Sequence, residues 1–354
     1  MATRGAINAE FTRKLPKIEL HAHLSGSISR KCLHEIWEQK KATTPSLELE
    51  DPFSAIPPGK VDYDLKTFFP LFSSYIYKLC SDLSSIRYST NSVLNDFQSD
   101  GVAYLELRTT PRTYPEHNIS KDIYIRTVLS SITSHNENLN NQMHTNLILS
   151  IDRCNTLPEA EEVVDLAVKY QSKGVVGVDL CGNPFKGEIR IFGPAFARAK
   201  ESGLKLTLHF AEIPLSATDD ELDTMLNWKP DRLGHVIHVN QEIRERVTRQ
   251  KIGVELCLSC NVHAKMITGS YQNHHFGWWM HSGVGVVLGT DDVGVFCSPL
   301  SQEYYLAATH FNLTLSQLKK LCEEAVEIIF GGLEEKERLR ALYRQWDGWV
   351  VREI

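Results

Sequence analysis

The stretch Lys17-Ile18-Glu19-Leu20-His21-Ala22-His23-Leu24 is a short apolar run that carries two histidines two residues apart. On a β-strand, residues two positions apart project to the same face, so His21 and His23 could bind one ion together. Imidazole is a common zinc ligand, but a zinc site needs further ligands from elsewhere in the chain. Because the sequence contains 14 histidines, an ordinary pair of core histidines is the alternative.

Seven further strand-like runs follow, and helical patterns separate most of them. The eight runs cover residues 17–24, 102–110, 146–153, 175–182, 205–212, 232–239, 253–260 and 285–292. Strands that alternate with helices predict a parallel sheet, and eight such units predict an α/β protein with a closed (β/α)8 TIM barrel. The expected helices between strands lie at about 120–139, 158–172, 192–202, 218–227 and 241–250.

Two regions exceed a plain barrel. Residues 25–100 are too long for one crossover and contain a Pro-rich loop, Pro45 to Pro58. A helical insertion after the first strand would lie at the mouth of the barrel, where a lid is useful. A C-terminal helical region follows the last strand. The expected helices in these regions lie at about 29–40, 62–98, 314–329 and 333–346. Since no linker interrupts the pattern, we expect residues 1–354 to form a single domain.

The composition, 42% hydrophobic and 23% charged, is typical of a soluble globular protein. A net charge of -6 disfavours nucleic-acid binding but allows a small anionic ligand. Met1 to Lys14 contains no signal-peptide core, and no apolar run reaches the length of a membrane span. The eight scattered cysteines predict buried free thiols, and the Cys257–Cys260 pair predicts two ordinary core cysteines. We therefore expect a cytosolic monomer without nucleic-acid or membrane partners.

Polar residues at the ends of the strand-like runs indicate a metal site, because catalytic groups of barrel enzymes gather at the C-terminal ends of the strands. Besides the first two histidines, these residues are His209, Glu212, His235, Asp291 and Asp292. Three histidines and one aspartate would provide the four ligands of a zinc ion. Glu212 and His235 would then be available for proton transfer. Each residue alone also fits a structural role, but one metal site accounts for all of them together.

Five motifs occur in a fixed order: HAHLSGS, VVGVDLCGNP, LTLHFAE, DRLGHVIHV and LGTDD. From about residue 15 to 330 the chain resembles the adenosine/AMP deaminase family, zinc-dependent (β/α)8 barrels that hydrolyse the 6-amino group of purines. The resemblance implies one Zn²⁺ per chain, bound by His21, His23, His209 and Asp291. It also implies the following roles: Glu212 protonates purine N1, His235 orients and deprotonates water, Asp292 holds the resulting hydroxide, Gly182 offers its N–H to purine N3, and His23 and Asp292 also contact the substrate.

Ser25 and the run Thr109-Thr110-Pro111-Arg112 favour a phosphorylated substrate. Ordinary adenosine deaminases have an aspartate at the position of Ser25, where it binds the ribose 5′-hydroxyl. A carboxylate would repel a 5′-phosphate, whereas a hydroxyl can donate a hydrogen bond to it. Two threonine hydroxyls and a guanidinium also suit a phosphate. The alternative for this run is a capped turn with a solvated arginine.

These features resemble the adenosine deaminase-like branch of the family, the N6-methyl-AMP deaminases. The resemblance implies a purine nucleoside monophosphate substrate, N6-methyl-AMP, hydrolysed to IMP and methylamine, with Asp152 and Tyr77 as further contacts. The sequence departs from the family pattern at Cys260, where a serine is usual. Arg108 and Glu106 match the family, although they could form no more than a buried ion pair. The alternative functions are deamination of adenosine or deoxyadenosine, or a catalytically silent purine-binding barrel.

Overall fold

Eight parallel strands form one sheet in the computed structural model, which describes residues 7–346 and 348. The strands are β1 (Lys17–His23), β2 (Val102–Thr109), β3 (His144–Asp152), β4 (Val175–Cys181), β5 (Lys205–Phe210), β6 (Arg232–His235), β7 (Gly253–Leu256) and β8 (Val286–Leu288). Each strand pairs with the next. A parallel bridge between Ala22 and Asp291 joins β1 to the segment after β8, so the sheet closes. This confirms the predicted (β/α)8 barrel.

The helices of the described residues surround and cap this barrel. They are α1 (Ala9–Lys14), α2 (Arg30–Thr43), α3 (Pro52–Ala55), α4 (Leu65–Leu71), α5 (Tyr77–Leu79), α6 (Leu83–Ser99), α7 (Lys121–Glu137), α8 (Leu157–Lys169), α9 (Gly193–Glu201), α10 (Asp219–Asn227), α11 (Gln241–Gln250), α12 (Leu258–His263), α13 (Phe276–Trp279), α14 (Val293–Phe296), α15 (Leu300–His310), α16 (Leu315–Glu327) and α17 (Leu333–Gln345). No described helix is long and apolar enough to cross a membrane.

The helices predicted between strands two and seven are confirmed as α7 to α11 to within a few residues. Most of them begin where a side chain caps the first turn. Ser120, Thr218 and Asn240 each accept a backbone N–H of the first turn of α7, α10 and α11. Thr156 and Glu159 form a reciprocal capping box at the start of α8. The two predicted C-terminal helices are confirmed as α16 and α17. The ends of the expected 1–354 domain, residues 1–6 and 349–354, lie outside the described residues.

The insertion after β1 has several breaks within the helical pattern predicted at about 62–98. Pro70 lies inside α4, and a π-helical turn, Phe72–Ile76, separates α4 from α5. Proline cannot donate a helical hydrogen bond, which favours such an irregularity. Asp82 then caps α6, because its carboxylate accepts the N–H of Ser85 at 2.9 Å. The predicted helical pattern is therefore confirmed over most of its length, and a proline and a cap divide it into α4, α5 and α6.

Strands β6, β7 and β8 are shorter than predicted. β6 ends at His235 because His235 and Val236 have φ values of 63° and 52°, which a strand cannot continue. β7 ends at Leu256, and Cys260 lies in helix α12 rather than in the strand.

The exposure of the cysteines differs in part from the prediction of buried thiols. All eight cysteines are free, but Cys154 and Cys297 are exposed because both lie in loops at helix or strand ends.

Candidate active site

Four predicted metal ligands meet at the C-terminal ends of β1, β5 and β8. The candidate ligand atoms of His21, His23, His209 and Asp291 all lie within 4.8 Å of one another. His23 Nε2 is 3.0 Å from His209 Nε2, and Asp291 Oδ1 is 3.3 Å from His23 Nε2. Asp291 has a φ of 58°, so the chain bends after β8, and the side chains of Asp291 and Asp292 form a hydrogen bond with each other. The barrel thus brings together residues that are far apart in the sequence: His21 and Asp291 are separated by 270 positions.

The chemistry of this cluster fits a divalent metal ion. His21 Nε2 is buried, and among the described residues it has no well-oriented hydrogen-bond partner. Asp291 Oδ1 lies 3.4 Å from it. A buried polar atom without a partner is costly, and a cation would satisfy it. Three imidazole nitrogens and one carboxylate oxygen form a donor set that suits zinc.

Two buried carboxylates orient the imidazoles from behind. His21 Nδ1 lies 2.7 Å from Glu255 Oε2, and His209 Nδ1 lies 3.1 Å from Asp179 Oδ1. Since a carboxylate accepts the Nδ1 proton, each Nε2 keeps its lone pair for the centre of the cluster. The sequence reasoning missed both carboxylates. A charged residue inside the apolar runs of β4 and β7 was the signal that could have found them.

Two arginines hold these carboxylates ionised. Arg108 donates to Glu255 at 2.8 Å and to Asp179 at 3.3 Å, and Arg232 donates to Glu255 at 2.6 Å. Burial opposes ionisation of the Glu255 carboxyl, but Arg108 and Arg232 outweigh it and hold its pKa well below the ordinary value. Glu106 accepts from Arg232 at 2.6 Å. The suggested Arg108–Glu106 ion pair is therefore wrong, because each residue pairs across the barrel with another strand.

Glu212, His235 and Asp292 surround the same end of the barrel. His235 Nε2 lies 3.7 Å from Glu212 Oε1 and 3.8 Å from Asp291 Oδ2. Burial raises the pKa of Glu212 above its ordinary value, and burial lowers the pKa of His235 to about 3. Asp292 packs against Gly26, where an added Cβ would lie 1.4 Å from Asp292 Oδ1. The glycine of the HAHLSGS motif is therefore required by the position of this carboxylate.

Cys260 is more than an ordinary core cysteine. Its Sγ lies 2.8 Å from Asp291 Oδ2, and its thiol donates a hydrogen bond to that candidate ligand. Burial raises the pKa of Cys260 well above the ordinary thiol value, so it remains a donor. The cysteine thus occupies the usual serine position and still offers a proton to the carboxylate. Cys257 is also buried, and its Sγ lies near His235 and Asp291.

A cavity of about 340 Å³ opens from the metal-ligand cluster. The predicted site residues that line it are His23, Ser25, Tyr77, Thr109, Thr110, Arg112, Asp152, Gly182, His209, Glu212, His235, Asp291 and Asp292. Pro111 is buried but is not among the lining residues. Its neighbours Thr110 and Arg112 both line the cavity. A contact between Pro111 and the substrate stays a prediction.

The far part of the cavity is polar and positively charged. The Arg112 guanidinium lies 3.2 Å from the centroid of the Tyr77 ring, and Tyr77 forms a side-chain hydrogen bond with Ser25. Lys186 from the loop after β4 lines the same cavity, which the sequence reasoning missed. An added Cβ on Gly182 would lie 2.6 Å from Asp152 Oδ1, so only glycine fits beside this carboxylate.

The insertion covers the cavity with apolar side chains. Those that line it from the insertion are Leu65, Phe68, Phe69 and Phe72. Phe68 stacks on Phe296 of α14, with ring centroids 5.5 Å apart. The helices after β1 therefore lie at the mouth of the barrel, as expected for a lid.

Comparison with known proteins agrees with this geometry. The sequence model of the adenosine deaminase family matches residues 16–346. The chain belongs to the adenosine deaminase family. It is 37% identical over 348 residues to the human (Homo sapiens) protein named N6-methyl-AMP deaminase. The matched region covers 96% of this chain and 94% of the relative. Solved structures of Arabidopsis ADAL with IMP and with GMP each have 36% identity and cover 95% of this chain and 98% of theirs, with TM-scores of 0.87 and 0.88.

Membership confirms the predicted family and the predicted enzyme class, a hydrolytic deaminase. The family is metal-dependent, and this chain has a His/Asp cluster that could bind a metal ion.

Proposed function

We propose that this protein hydrolyses N6-methyl-AMP to IMP and methylamine with one zinc ion per chain. One observation carries the proposal: a single cavity runs from the cluster of three histidines and Asp291 to the polar end formed by Ser25, Tyr77 and Arg112. A purine nucleotide needs both ends, one for the 6-substituent and one for the 5′-phosphate. The name of the human relative and the nucleotides bound to the Arabidopsis structures support this assignment.

His21, His23, His209 and Asp291 would hold the zinc ion. In such a site zinc would lower the pKa of its bound water to about 7, which would supply a nucleophile near neutral pH. The contribution of the chain is to fix the donor geometry through Glu255 and Asp179 and to exclude bulk water with the lid.

Glu212 would protonate purine N1, which makes C6 electrophilic. This step needs a neutral carboxylic acid, and burial raises the pKa of Glu212 in that direction. His235 and Asp292 would orient the attacking water, whose oxygen becomes bonded to C6. The C6–N6 bond would then break: one proton of the water leaves with methylamine, the other returns to Glu212, and the product keeps the proton on N1. Gly182 and Asp152 would contact the purine from the ends of β4 and β3.

Ser25, Thr110, Arg112 and Lys186 would bind the 5′-phosphate. Arg112 and Lys186 supply two positive charges to the same cavity, and the hydroxyl of Ser25 can donate where a carboxylate would repel. Stacking on Tyr77 fixes the plane of the Arg112 guanidinium, which reduces the entropy lost on binding. Thr109 donates to or accepts from Tyr124 at 2.8 Å and is expected to support this end of the cavity.

The test compares steady-state turnover of N6-methyl-AMP, AMP and adenosine by the purified protein. We expect the highest kcat/KM for N6-methyl-AMP. Arg112→Ala should lower kcat/KM for both nucleotides by about 10- to 150-fold, the equivalent of ~1.5–3 kcal/mol for a hydrogen bond to a charged group. Adenosine turnover should change little. Arg126→Ala, at an exposed arginine on α7, is the matched control. Faster turnover of adenosine than of either nucleotide would support the adenosine deaminase alternative.

The cytosolic location, the monomeric state and the absence of nucleic-acid partners stay predictions. Size-exclusion chromatography with light scattering checks the second of these, with one chain per particle as the expected result.

A further inference from the structure

A buried chain of hydrogen bonds extends behind His235, on the side away from Glu212. Asn261 lies between two imidazoles. As placed, its Oδ1 lies 3.1 Å from His235 Nδ1 and its Nδ2 lies 3.0 Å from His274 Nε2. Asn261 is fully buried, and His235 and His274 are 1% and 3% exposed. Because water has little access, the direction of each hydrogen bond is fixed by the neighbours.

The direction is set at the far end of the chain by a backbone group. The N–H of Phe276 donates to His274 Nδ1 at 3.0 Å. A backbone N–H can only donate, so His274 Nδ1 must carry a lone pair. Its single imidazole proton is then on Nε2. His274 therefore donates from Nε2 to the side chain of Asn261, and the atom of Asn261 that receives this proton must be the carbonyl oxygen.

This requirement decides the orientation of the Asn261 amide. A half-turn of the side chain exchanges Oδ1 and Nδ2 without moving the positions that they occupy. The hydrogen bond from Phe276 therefore requires the amide to be turned by half a turn from its placed orientation, so that Oδ1 accepts from His274 Nε2 and Nδ2 donates to His235 Nδ1. His235 Nδ1 then carries a lone pair, and the imidazole proton lies on Nε2, which faces Glu212 and Asp291.

We propose that Asn261 and His274 are positioning residues that hold His235 in its Nε2–H tautomer, so that His235 donates a hydrogen bond to the nucleophilic oxygen. The role in catalysis rests on the proposed function, whereas the tautomer itself does not. The resemblance implied instead that His235 deprotonates the water. That role needs a lone pair on Nε2, which this hydrogen-bond chain places on Nδ1.

The same loop also fixes the backbone of His235. His275 lies against His274 with ring centroids 4.1 Å apart, and its Nε2 donates to the carbonyl oxygen of His235 at 2.5 Å. His235 has a φ of 63°, a conformation that a β-branched or bulky residue rarely adopts. Adjacent histidines therefore hold both the ring and the main chain of His235.

The tautomer can be read directly by nitrogen NMR of the zinc-loaded protein labelled with ¹⁵N-histidine. The signals of His235 and His274 are assigned by their loss in His235→Gln and His274→Gln proteins. We expect both rings to be protonated on Nε2 and unprotonated on Nδ1. A proton on His235 Nδ1, alone or together with one on Nε2, overturns the proposal. The spectrum requires no substrate, so failure to hydrolyse N6-methyl-AMP would leave this result intact.

A kinetic test reverses the direction of the chain. In Asn261→Asp the carboxylate accepts from both imidazoles and draws the His235 proton to Nδ1. We expect kcat to fall by about 10²- to 10⁴-fold, as for a wrong histidine tautomer elsewhere, with KM unchanged. Asn273→Asp makes the same change at an exposed position of the same loop and should retain kcat. The proposal is contradicted if His235 in Asn261→Asp is protonated on Nδ1 alone and this variant still has the kcat of the wild-type protein. If this variant does not fold, the wild-type spectrum decides.

Discussion

Glu255→Gln should destabilise the metal-free protein by about 3–5 kcal/mol, the usual cost of breaking a buried ion pair. The carboxylate accepts from His21, Arg108, Arg232 and Thr207, at 2.7, 2.8, 2.6 and 2.8 Å, and all four partners are buried. Glutamine keeps the shape but has one acceptor oxygen and an NH₂ group that faces donors. Two buried guanidinium groups lose part of their counter-charge.

The destabilisation converts to a shift in the unfolding temperature. With an unfolding entropy of about 2.1 cal/mol/K per residue, a chain of this length should lose about 4–7 °C in apparent Tm. The metal-free protein is used because zinc binding would itself raise Tm. Glu116→Gln, at an exposed glutamate, is the matched control and should leave Tm unchanged.

The same substitution should weaken zinc binding by about 10- to 100-fold, because His21 loses the partner that fixes its tautomer. Competition with a chelator measures this affinity separately from Tm. An unchanged Tm together with an unchanged zinc affinity would refute the reasoning that Glu255 organises both the barrel interior and the metal ligands.

Three further predictions concern individual groups around the cavity. Ser25→Asp should raise the KM for N6-methyl-AMP by about tenfold or more, because the carboxylate would repel the phosphate, and should leave the KM for adenosine unchanged. Equal changes in both KM values in steady-state assays would argue against a phosphate at this position. Glu212 must be protonated to act, and burial raises its pKa, so kcat/KM should stay constant below that pKa and fall as the pH rises through it. Glu212→Gln should abolish turnover but leave zinc binding intact. A kcat/KM that instead rises with pH over this range would contradict the role of Glu212. Cys260→Ser should keep zinc affinity and Cys260→Val should lower it by about tenfold in chelator competition, whereas identical affinities would mean that the bond to Asp291 is unimportant.

The barrel was predictable because its strands are buried on both faces and are therefore read as continuous apolar runs. The strand ends were less predictable. Positive φ values at His235 and Val236 end β6, and such conformations have no clear signal in non-glycine residues. The break between α5 and α6 depended on Asp82 acting as a cap, which competes with a helical pattern that continues through it.

The candidate metal ligands could be proposed from the sequence because all of them lie at or near the C-terminal ends of strand-like runs, where a barrel brings side chains together. The groups behind them were not found. Glu255 and Asp179 are placed by the closure of the barrel, since their partners lie on other strands. Lys186 lies in a loop whose path to the cavity depends on the fold as a whole. Sequence patterns report local periodicity, whereas these contacts depend on tertiary geometry.

X-ray absorption at the zinc edge, together with metal analysis of the purified protein, tests the central claim most directly. We expect about one zinc per chain with only nitrogen and oxygen neighbours at about 2.0–2.2 Å, from three imidazoles and one carboxylate. A sulfur neighbour at about 2.3 Å would instead place the ion against Cys257 or Cys260. That result, or the absence of stoichiometric metal, would contradict the assignment of His21, His23, His209 and Asp291 as the ligands.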